Sequence, residues 1–424
     1  MKNQNVLVIG SGVAGIEASL TLADAGLNVH LVEKDSLIGG QTIKFEEVYP
    51  NMECATCMLA PKQQEVLQHD NINLYLLSKV KKVEGSVGKF KAQIDKKARY
   101  VSLVNCIGCG ACYDPCPVSL DNVFEEGMSQ KKAIYVACPG ALPNAPVIDP
   151  ENCVRLNGKK KDCNACEEAC GFDAIDFTEK DKTIDLDVSA IIVATGFDQF
   201  DVKSLPEFGY GKHPNIYTAM EFERLYAQNG PTGGELTLRE EKPIKSVGII
   251  HCVGRKEEGY CSGVCCMYSM KFAHFIKDKA PKAEIREFHT DLCIPGKSHQ
   301  KFYEDLAKEK VNFIRYKEID VKGKNGSLEV NYTNNNGKKN SFKPDMVILS
   351  SAMISSAGTK DLAKKLGISQ DSMGFFTTQN ENLSPIDSEK EGVFVIGCAE
   401  GPKDIPDSVS QAEAAAGRVL SFLQ

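Results

Sequence analysis

The first patterned stretch of the chain, Asn5-Val-Leu-Val-Ile9, is apolar at every position after the asparagine and too short for a helix. A run of that kind predicts a strand buried on both faces. Small and apolar residues follow with helical spacing over residues 16–25, stopping near Gly26, and residues 29–32 predict a second buried strand ending at Glu33. Equivalent runs recur at 191–194, 246–250, 345–349 and 393–396, and an alanine-rich helix is expected over 408–423. Buried strands separated by helices predict an α/β protein with parallel sheets. No stretch reaches the ~18 uninterrupted apolar residues of a membrane-spanning helix. A strand that runs straight into a glycine loop is not the pattern of a secretory signal.

Between the first strand and the first helix stands Gly10-Ser11-Gly12-Val13-Ala14-Gly15, which fits G-x-G-x-x-G. The first glycine of such a loop makes the tight turn, the second lets backbone approach a pyrophosphate, and the third lets helix pack on strand. The helix N-terminus then faces the phosphates, and Glu33 is placed to accept from ribose hydroxyls. Glu33 and Lys34, followed by Gly39, Gly40 and Gln41, resemble FAD rather than NAD usage. Ala194-Thr195-Gly196 is the A-T-G turn typical of flavoproteins with two dinucleotide-binding domains, and Gly397 ends the run that returns to the first of them.

Composition changes the picture mainly through cysteine. The 424 residues, 42% hydrophobic and 25% charged, suffice for two or three domains with cores of their own. A net charge of −7 argues against a nucleic-acid partner. Seventeen cysteines without an export signal point to thiolates on metal in a cytoplasmic setting, not to a disulfide framework. No Ser/His/Asp triad, carboxylate pair or H-E-x-x-H is present, and the seven histidines are scattered.

Cys106, Cys109, Cys112 and Cys116, followed by Pro117, have the C-x2-C-x2-C-x3-C-P spacing of bacterial ferredoxins. The fourth cysteine of each run in such proteins ligates the other cluster. The expected sets are therefore Cys106, Cys109, Cys112 and Cys170 for one [4Fe–4S] cluster, and Cys116, Cys153, Cys163 and Cys166 for the other. Gly171 in place of a second proline, and nine residues between Cys153 and Cys163, depart from the pattern.

A further group, Cys252, Cys261, Cys265 and Cys266, lies where a second Rossmann domain would carry its phosphate loop. His251-Cys-Val-Gly-Arg255 lacks G-x-G-x-x-G, so NAD(P)H is not expected there in the usual way. The residues alone leave a third cluster, buried thiols and a redox disulfide all open. Cys54-Ala-Thr-Cys57 reads equally as redox dithiol, half of a metal site or coincidence, and Cys138, Cys293 and Cys398 read as packing residues.

The expected architecture is α/β, a two-dinucleotide-binding-domain flavoprotein of the glutathione- and thioredoxin-reductase type with an inserted α+β two-cluster ferredoxin domain. Residues 1–100 form the first part of the FAD-binding Rossmann domain, 101–178 the insert, and 179–242 the second FAD part with a linker. Residues 243–350 form a second Rossmann-like domain carrying the cysteine group, and 351–424 the C-terminal part of the FAD domain.

Longer segments carry a family resemblance. Asn51-Met-Glu-Cys-Ala-Thr-Cys-Met-Leu-Ala-Pro61, Lys97-Ala-Arg-Tyr-Val101, Phe124-Glu-Glu-Gly127 and Lys132-Ala-Ile-Tyr135 contribute to it. The most specific are Tyr260-Cys-Ser-Gly-Val-Cys-Cys-Met-Tyr268 and Gly401-Pro-Lys-Asp-Ile-Pro-Asp-Ser408. Together they resemble the A-type flavin and iron–sulfur subunits of heterodisulfide reductases, a family that includes the equivalent subunits of quinone-interacting and sulfur-oxidiser complexes.

The resemblance implies a third [4Fe–4S] cluster on Cys252, Cys261, Cys265 and Cys266, and FAD contacts from Lys403, Asp404, Ile405, Asp407 and Ser408. It also implies a lysine, Lys271, beside the reactive flavin nitrogen; the residues alone would make it an exposed helix lysine. The implied function is that of an oxidoreductase subunit passing electrons between FAD and iron–sulfur clusters. Partners would be B- and C-type subunits, or quinone-interacting or hydrogenase-type ones, around a homodimer that meets a membrane only through them. The additional N-terminal cluster domain and C-terminal ferredoxin of the methanogen proteins have no counterpart in these residues. The alternative is a self-sufficient NAD(P)H-dependent disulfide or ferredoxin oxidoreductase.

Overall fold

The computed structural model describes residues 4–423 apart from 237, 239–242 and 325, so the expected boundary residue 242 lies outside the described residues. The chain divides into two compact units, Met1–Ile43 with Cys57–Gly196 and Ser355–Gln424, and Lys44–Thr56 with Phe197–Ile354.

The first unit is built on a five-stranded parallel sheet in the order Val393–Val395, Ala190–Val193, Asn5–Ile9, Asn28–Val32, Ile72–Tyr75. Its central strands are apolar throughout because both faces are covered: Leu7, Val8, Ile191 and Ile192 are all fully buried. The helix Val13–Asp24 covers one face with small residues, and the helix Ile405–Leu423 turns Ala412, Ala415 and Ala416 into the same core. A three-stranded antiparallel sheet, Lys182–Val188, Phe90–Lys96 and Ser78–Glu84, lies against the other face through Phe90, Ile94 and Val188.

The cysteine-rich segment leaves and re-enters through this smaller sheet, where Lys96 pairs with Lys182. Its two ends are then zipped together. Ala98 N–H donates to Asp181, Arg99 and Tyr100 N–H groups donate to Glu179, and Val101 bridges Ile175. A long excursion inserted at a closed hairpin end leaves the flanking ladder intact. The buried Arg99 guanidinium donates to the carbonyls of Ser36, Ala145 and Pro146, and Ile38 N–H donates to Leu142 O at 3.0 Å. The excursion is therefore seated against the loop that follows Glu33.

The second unit has a seven-stranded sheet in the order Ile216–Thr218, Met346–Ser351, Ser246–Val253, Glu284–His289, Val311–Lys324, Ser327–Asn334, Lys339–Phe342. Pairings are parallel up to Val311–Lys324 and antiparallel beyond. The helix Cys265–Lys279 crosses from Ser246–Val253 to Glu284–His289, as a parallel connection requires. The thiols of this unit sit at or beyond the C-terminal ends of its parallel strands, where open α/β sheets place their ligands.

Candidate functional site: a glycine cradle and three groups of thiols

The glycine loop lies between Asn5–Ile9 and Val13–Asp24, as its sequence predicts. Gly10 has φ +103°, and a Cβ there would stand 2.3 Å from the Ala194 carbonyl oxygen, so no other residue fits. A Cβ on Gly40 would stand 2.8 Å from the Gly12 Cα; two glycine backbones thus face each other across the mouth of the helix. That helix has no side-chain cap and no acidic residue in its first turn. Its leading N–H groups, beside Val13, Ala14 and Gly15, can therefore serve an anion. Two buried polar atoms of the same region, Gln41 Oε1 and Thr195 Oγ1, have no hydrogen-bond partner in the protein. Buried polar atoms are almost always paired, so these two fit a bound polar group such as FAD.

Glu33 is buried and turned to the loop. Its Oε2 accepts from Ser11 N–H at 2.8 Å and Ser11 Oγ at 2.7 Å, and its Oε1 accepts from Asp35 N–H at 3.0 Å. Lys34 is exposed, whereas Ala194 is buried and Gly196 has φ +71° with open space beside it. Gly397 N–H donates to Gln411 at 2.7 Å. At the last helix Asp404 Oδ1 accepts from Asp407 N–H at 2.9 Å, Ser408 Oγ donates to Asp404 O, and Lys403 pairs with Glu400. Asp404 thereby caps the helix that opens at Ile405.

In the excursion the cysteines lie in two neighbouring groups. Cys116, Cys153, Cys163 and Cys166 line one pocket, whose other walls are apolar and include Val118, Ile134, Ile148 and Phe177. Cys112 lies within electrostatic reach of Cys106, Cys170 and Cys166, and Tyr113 senses Cys112, Cys106 and Cys109. Burial pushes the Cys112 thiol up to about 12 and Cys166 up to about 11. A thiol so poor at ionising in an apolar pocket needs a cation to become a thiolate. Among the described residues no group of three or more His, Cys, Asp or Glu is arranged to hold a single metal ion. The donor set is four thiols around an apolar space, which suits a cluster that brings its own bulk.

The second unit gathers the other four thiols. Cys252 has φ +63° at a break in the register between Ser246–Val253 and Met346–Ser351. A left-handed non-glycine residue costs of order 1 kcal/mol and marks a position the surroundings insist on. Cys265 and Cys266 open the helix, and each lies within electrostatic reach of Cys252 and Cys261. Burial pushes both thiols up to about 12, whereas Cys261 is exposed. Donors converge on these sulfurs: Thr290 Oγ1 on Cys252 at 3.1 Å, Gly263 N–H on Cys261 at 3.4 Å, and Cys293 N–H on Cys266 at 3.3 Å. In the excursion Gly108 N–H donates to Cys106 at 3.4 Å.

Lys271 corrects the expectation drawn from residues alone. It is not exposed but 3% accessible, with Nζ 2.6 Å from Glu223 Oε2 and donating to Glu47 O at 2.9 Å. The rings of Phe45, Phe272 and Phe275 surround it at 5.3–5.4 Å. Its place four residues from both Met267 and Phe275, on the apolar face of the helix, was the available signal. Cys293, read as a packing residue, is partly exposed and its backbone N–H donates to a thiol of the group. Cys138 is buried among apolar neighbours, Cys398 is partly buried with its thiol donating to Lys403 O, and Cys54 and Cys57 are disulfide-bonded.

Comparison with known proteins bears on this arrangement. The FAD dependent oxidoreductase family matches residues 5–97. Over 98% of its length the chain is 39% identical to the A-type subunit of the H(2):CoB-CoM heterodisulfide,ferredoxin reductase of Methanothermobacter marburgensis, covering 63% of that protein. It is 38% identical to the A-type iron-sulfur subunit of the CoB--CoM heterodisulfide reductase of Methanocaldococcus jannaschii, covering 64% of it. The chain thus spans less than two thirds of these relatives. Thioredoxin reductases of Lactococcus lactis and T. acidophilum share the fold, each with a TM-score of 0.54, at 14% and 11% identity, with 99% of this chain and 98% of theirs covered. The thioredoxin-reductase-like α/β fold is therefore established.

Proposed function

We propose, from the premise that this chain is a homologue of the A-type heterodisulfide reductase subunits over nearly its whole length, that it is the electron-transfer subunit of a heterodisulfide-reductase-like complex. The kinship makes it a flavin-dependent oxidoreductase. The observation that carries the finer reading is the pairing, within one unit, of an uncapped glycine cradle with two interleaved sets of four cysteines.

Residues 101–178 form, in this reading, a ferredoxin-like domain spliced into the flavin domain. Gly10, Gly12, Val13, Ala14 and Gly15 hold the pyrophosphate of FAD, with Glu33 and Lys34 toward the ribose. Gly40, Gln41, Ala194, Thr195, Gly196, Gly397 and residues 403–408 hold the remainder. FAD supplies two-electron exchange, and cubanes on the three cysteine sets supply one-electron relay. The protein's own work is to bury the thiols, donate hydrogen bonds to their sulfurs and fix their spacing. Lys271, desolvated and paired with Glu223, is the cation assigned to the flavin's reduced form.

The second unit supports the NAD(P)H-dependent alternative poorly. Its phosphate-loop position holds Cys252 where a glycine would be needed, and the ring of Phe200 stands 2.6 Å from where a Cβ on Gly254 would lie. Disulfide, thiol or quinone chemistry belongs to partner subunits. No described helix is long and apolar enough to cross a membrane.

The test is anaerobic purification, cofactor assay and mixing with NADH. One flavin and about twelve irons per chain are expected, taking one cubane per four thiolates, with slow bleaching by NADH alone. Zinc without flavin would end the reading, and fast bleaching would favour the alternative. Lys271→Ala is expected to shift the flavin potentials with iron content unchanged; an unshifted titration removes Lys271 from the site.

A further inference from the structure

The thiol group of the second unit has five members. Cys293 stands four residues beyond the strand Glu284–His289, on the loop that also carries Thr290 and Asp291. Its N–H donates to Cys266 Sγ at 3.3 Å, and Cys266 Sγ reaches back to Asp291 O at 3.7 Å. Its sulfur lies within electrostatic reach of the Cys261 sulfur and the Arg255 guanidinium. Arg255 in turn donates to Thr290 Oγ1 at 3.2 Å, the hydroxyl that donates to Cys252. One short loop therefore touches or faces Cys252, Cys261 and Cys266 together. A cysteine serving only to fill space would be enclosed by apolar side chains, whereas Cys293 is partly exposed and its N–H is turned to a thiol of the group.

The other four thiols are not held alike. Cys265 and Cys266 are buried at the head of a fifteen-residue helix, and Cys252 is locked into the sheet by its left-handed conformation. Cys261 is the exposed member, on an irregular loop between Gly259 and Gly263. Three thiols are thus fixed by regular structure, while the fourth position has two candidate sulfurs within electrostatic reach of each other, one on each of two loops.

We propose that Cys293 is a reserve ligand of this site, able to replace Cys261 so that iron is held by either of two four-thiol sets sharing Cys252, Cys265 and Cys266. In the exchange the Cys261 sulfur leaves iron as the Cys293 sulfur binds it. The proton lost by the Cys293 thiol is taken up by the Cys261 thiolate, and no electron changes hands. Arg255, facing Cys293 and hydrogen-bonded beside Cys252, steadies the transient negative charge. The exchange lets the centre survive oxidation or alkylation of its exposed ligand.

The proposal rests on the ligand reading of the second-unit thiols, and the experiment separates the two. Iron per flavin and the EPR spectrum of dithionite-reduced and oxidised protein are compared for wild type and four variants: Cys265→Ala, Cys261→Ala, Cys293→Ala and the double variant Cys261→Ala/Cys293→Ala. Flavin content and circular dichroism report folding in each. Cys265→Ala is expected to lose about four irons per chain; if it loses none, the ligand reading falls and the proposal with it. Granted that loss, Cys261→Ala and Cys293→Ala are each expected to keep the full iron complement and a reduced [4Fe–4S] signal. The double variant then loses the cluster or shows an oxidised three-iron signal. Cys261→Ala indistinguishable from the double variant in iron and spectrum overturns the reserve-ligand proposal and leaves the third cluster standing.

Discussion

In residues 98–178 the cysteines are themselves the core, whereas in the second unit they are set on the rim of a sheet that has a core of its own. Cys112, Cys116, Cys153 and Cys166 stand among Val101, Ala133, Ile134, Ile148, Ala174, Ile175 and Phe177 as equal partners in one small cluster. The regular structure around them amounts to two-residue strands, one three-residue 3-10 helix and one four-residue helix. Strands that short, with so little apolar area, cannot offset the entropy of ordering the segment. The second unit instead buries Val247, Ile249, Ile250, Phe288, Val347 and Leu349 in a seven-stranded sheet, none of which depends on a thiol. On the proposed ligation, metal binding and folding are coupled in the first region and separable in the second.

Removing iron is the most direct way to break that comparison. Chelation under anaerobic, reducing conditions is expected to release residues 98–178 into a protease-sensitive state, with cleavage rates rising by orders of magnitude there. The thiol region 252–293 should stay protected, because its backbone is held by the sheet. Peptide mapping after brief proteolysis reads both at once. Equal loss of protection in the two regions would show that the second unit also needs metal to fold.

Arg99 offers a sharper and smaller cut at the first region. Its buried guanidinium satisfies the carbonyls of Ser36, Ala145 and Pro146, and burial holds its basicity down to about 10. Arg99→Ala leaves three acceptors to find water or go unpaired, a cost on the order of 3 kcal/mol. Amide hydrogen exchange in 98–178 should accelerate roughly a hundredfold, at about 1.4 kcal/mol per tenfold, with exchange in 246–289 unchanged. An acceleration shared by both regions would mean that Arg99 supports the protein at large.

The two regions also differ in how much of them could be read before the structure. Ferredoxin-type spacing is local in sequence, so Cys106 to Cys116 identify themselves, and the second run is read with them despite the long gap between Cys153 and Cys163. The glycine loop and its neighbouring strands were legible for the same reason, since one βαβ unit carries the whole pattern. In the second unit the decisive contacts join residues brought together by strand order. Thr290 reaches Cys252, Cys293 reaches Cys266 and Glu223 meets Lys271, across separations of 38, 27 and 48 residues. No period or spacing encodes such pairs, and a lysine on a helix reads as solvated until its apolar neighbours on the same face are noticed.

The finest test concerns what the donors around the second-unit thiols do. Hydrogen bonds to cluster sulfur favour the reduced, more negative state and so raise the reduction potential. Thr290 donates a hydroxyl to Cys252 at 3.1 Å and is itself oriented by Arg255. Thr290→Val keeps the branched shape and removes that donor. If the lost bond is worth ~1 kcal/mol more to the reduced state, the potential of this centre should fall by about 40 mV, a one-electron conversion of the same energy. EPR-monitored titration should show that fall in one cluster signal, with the two assigned to the excursion fixed to within the error of the measurement. A uniform drift of all three signals would point instead to a global change, whereas an isolated shift would show that the sheet-mounted site is tuned by a side chain from the loop after a neighbouring strand.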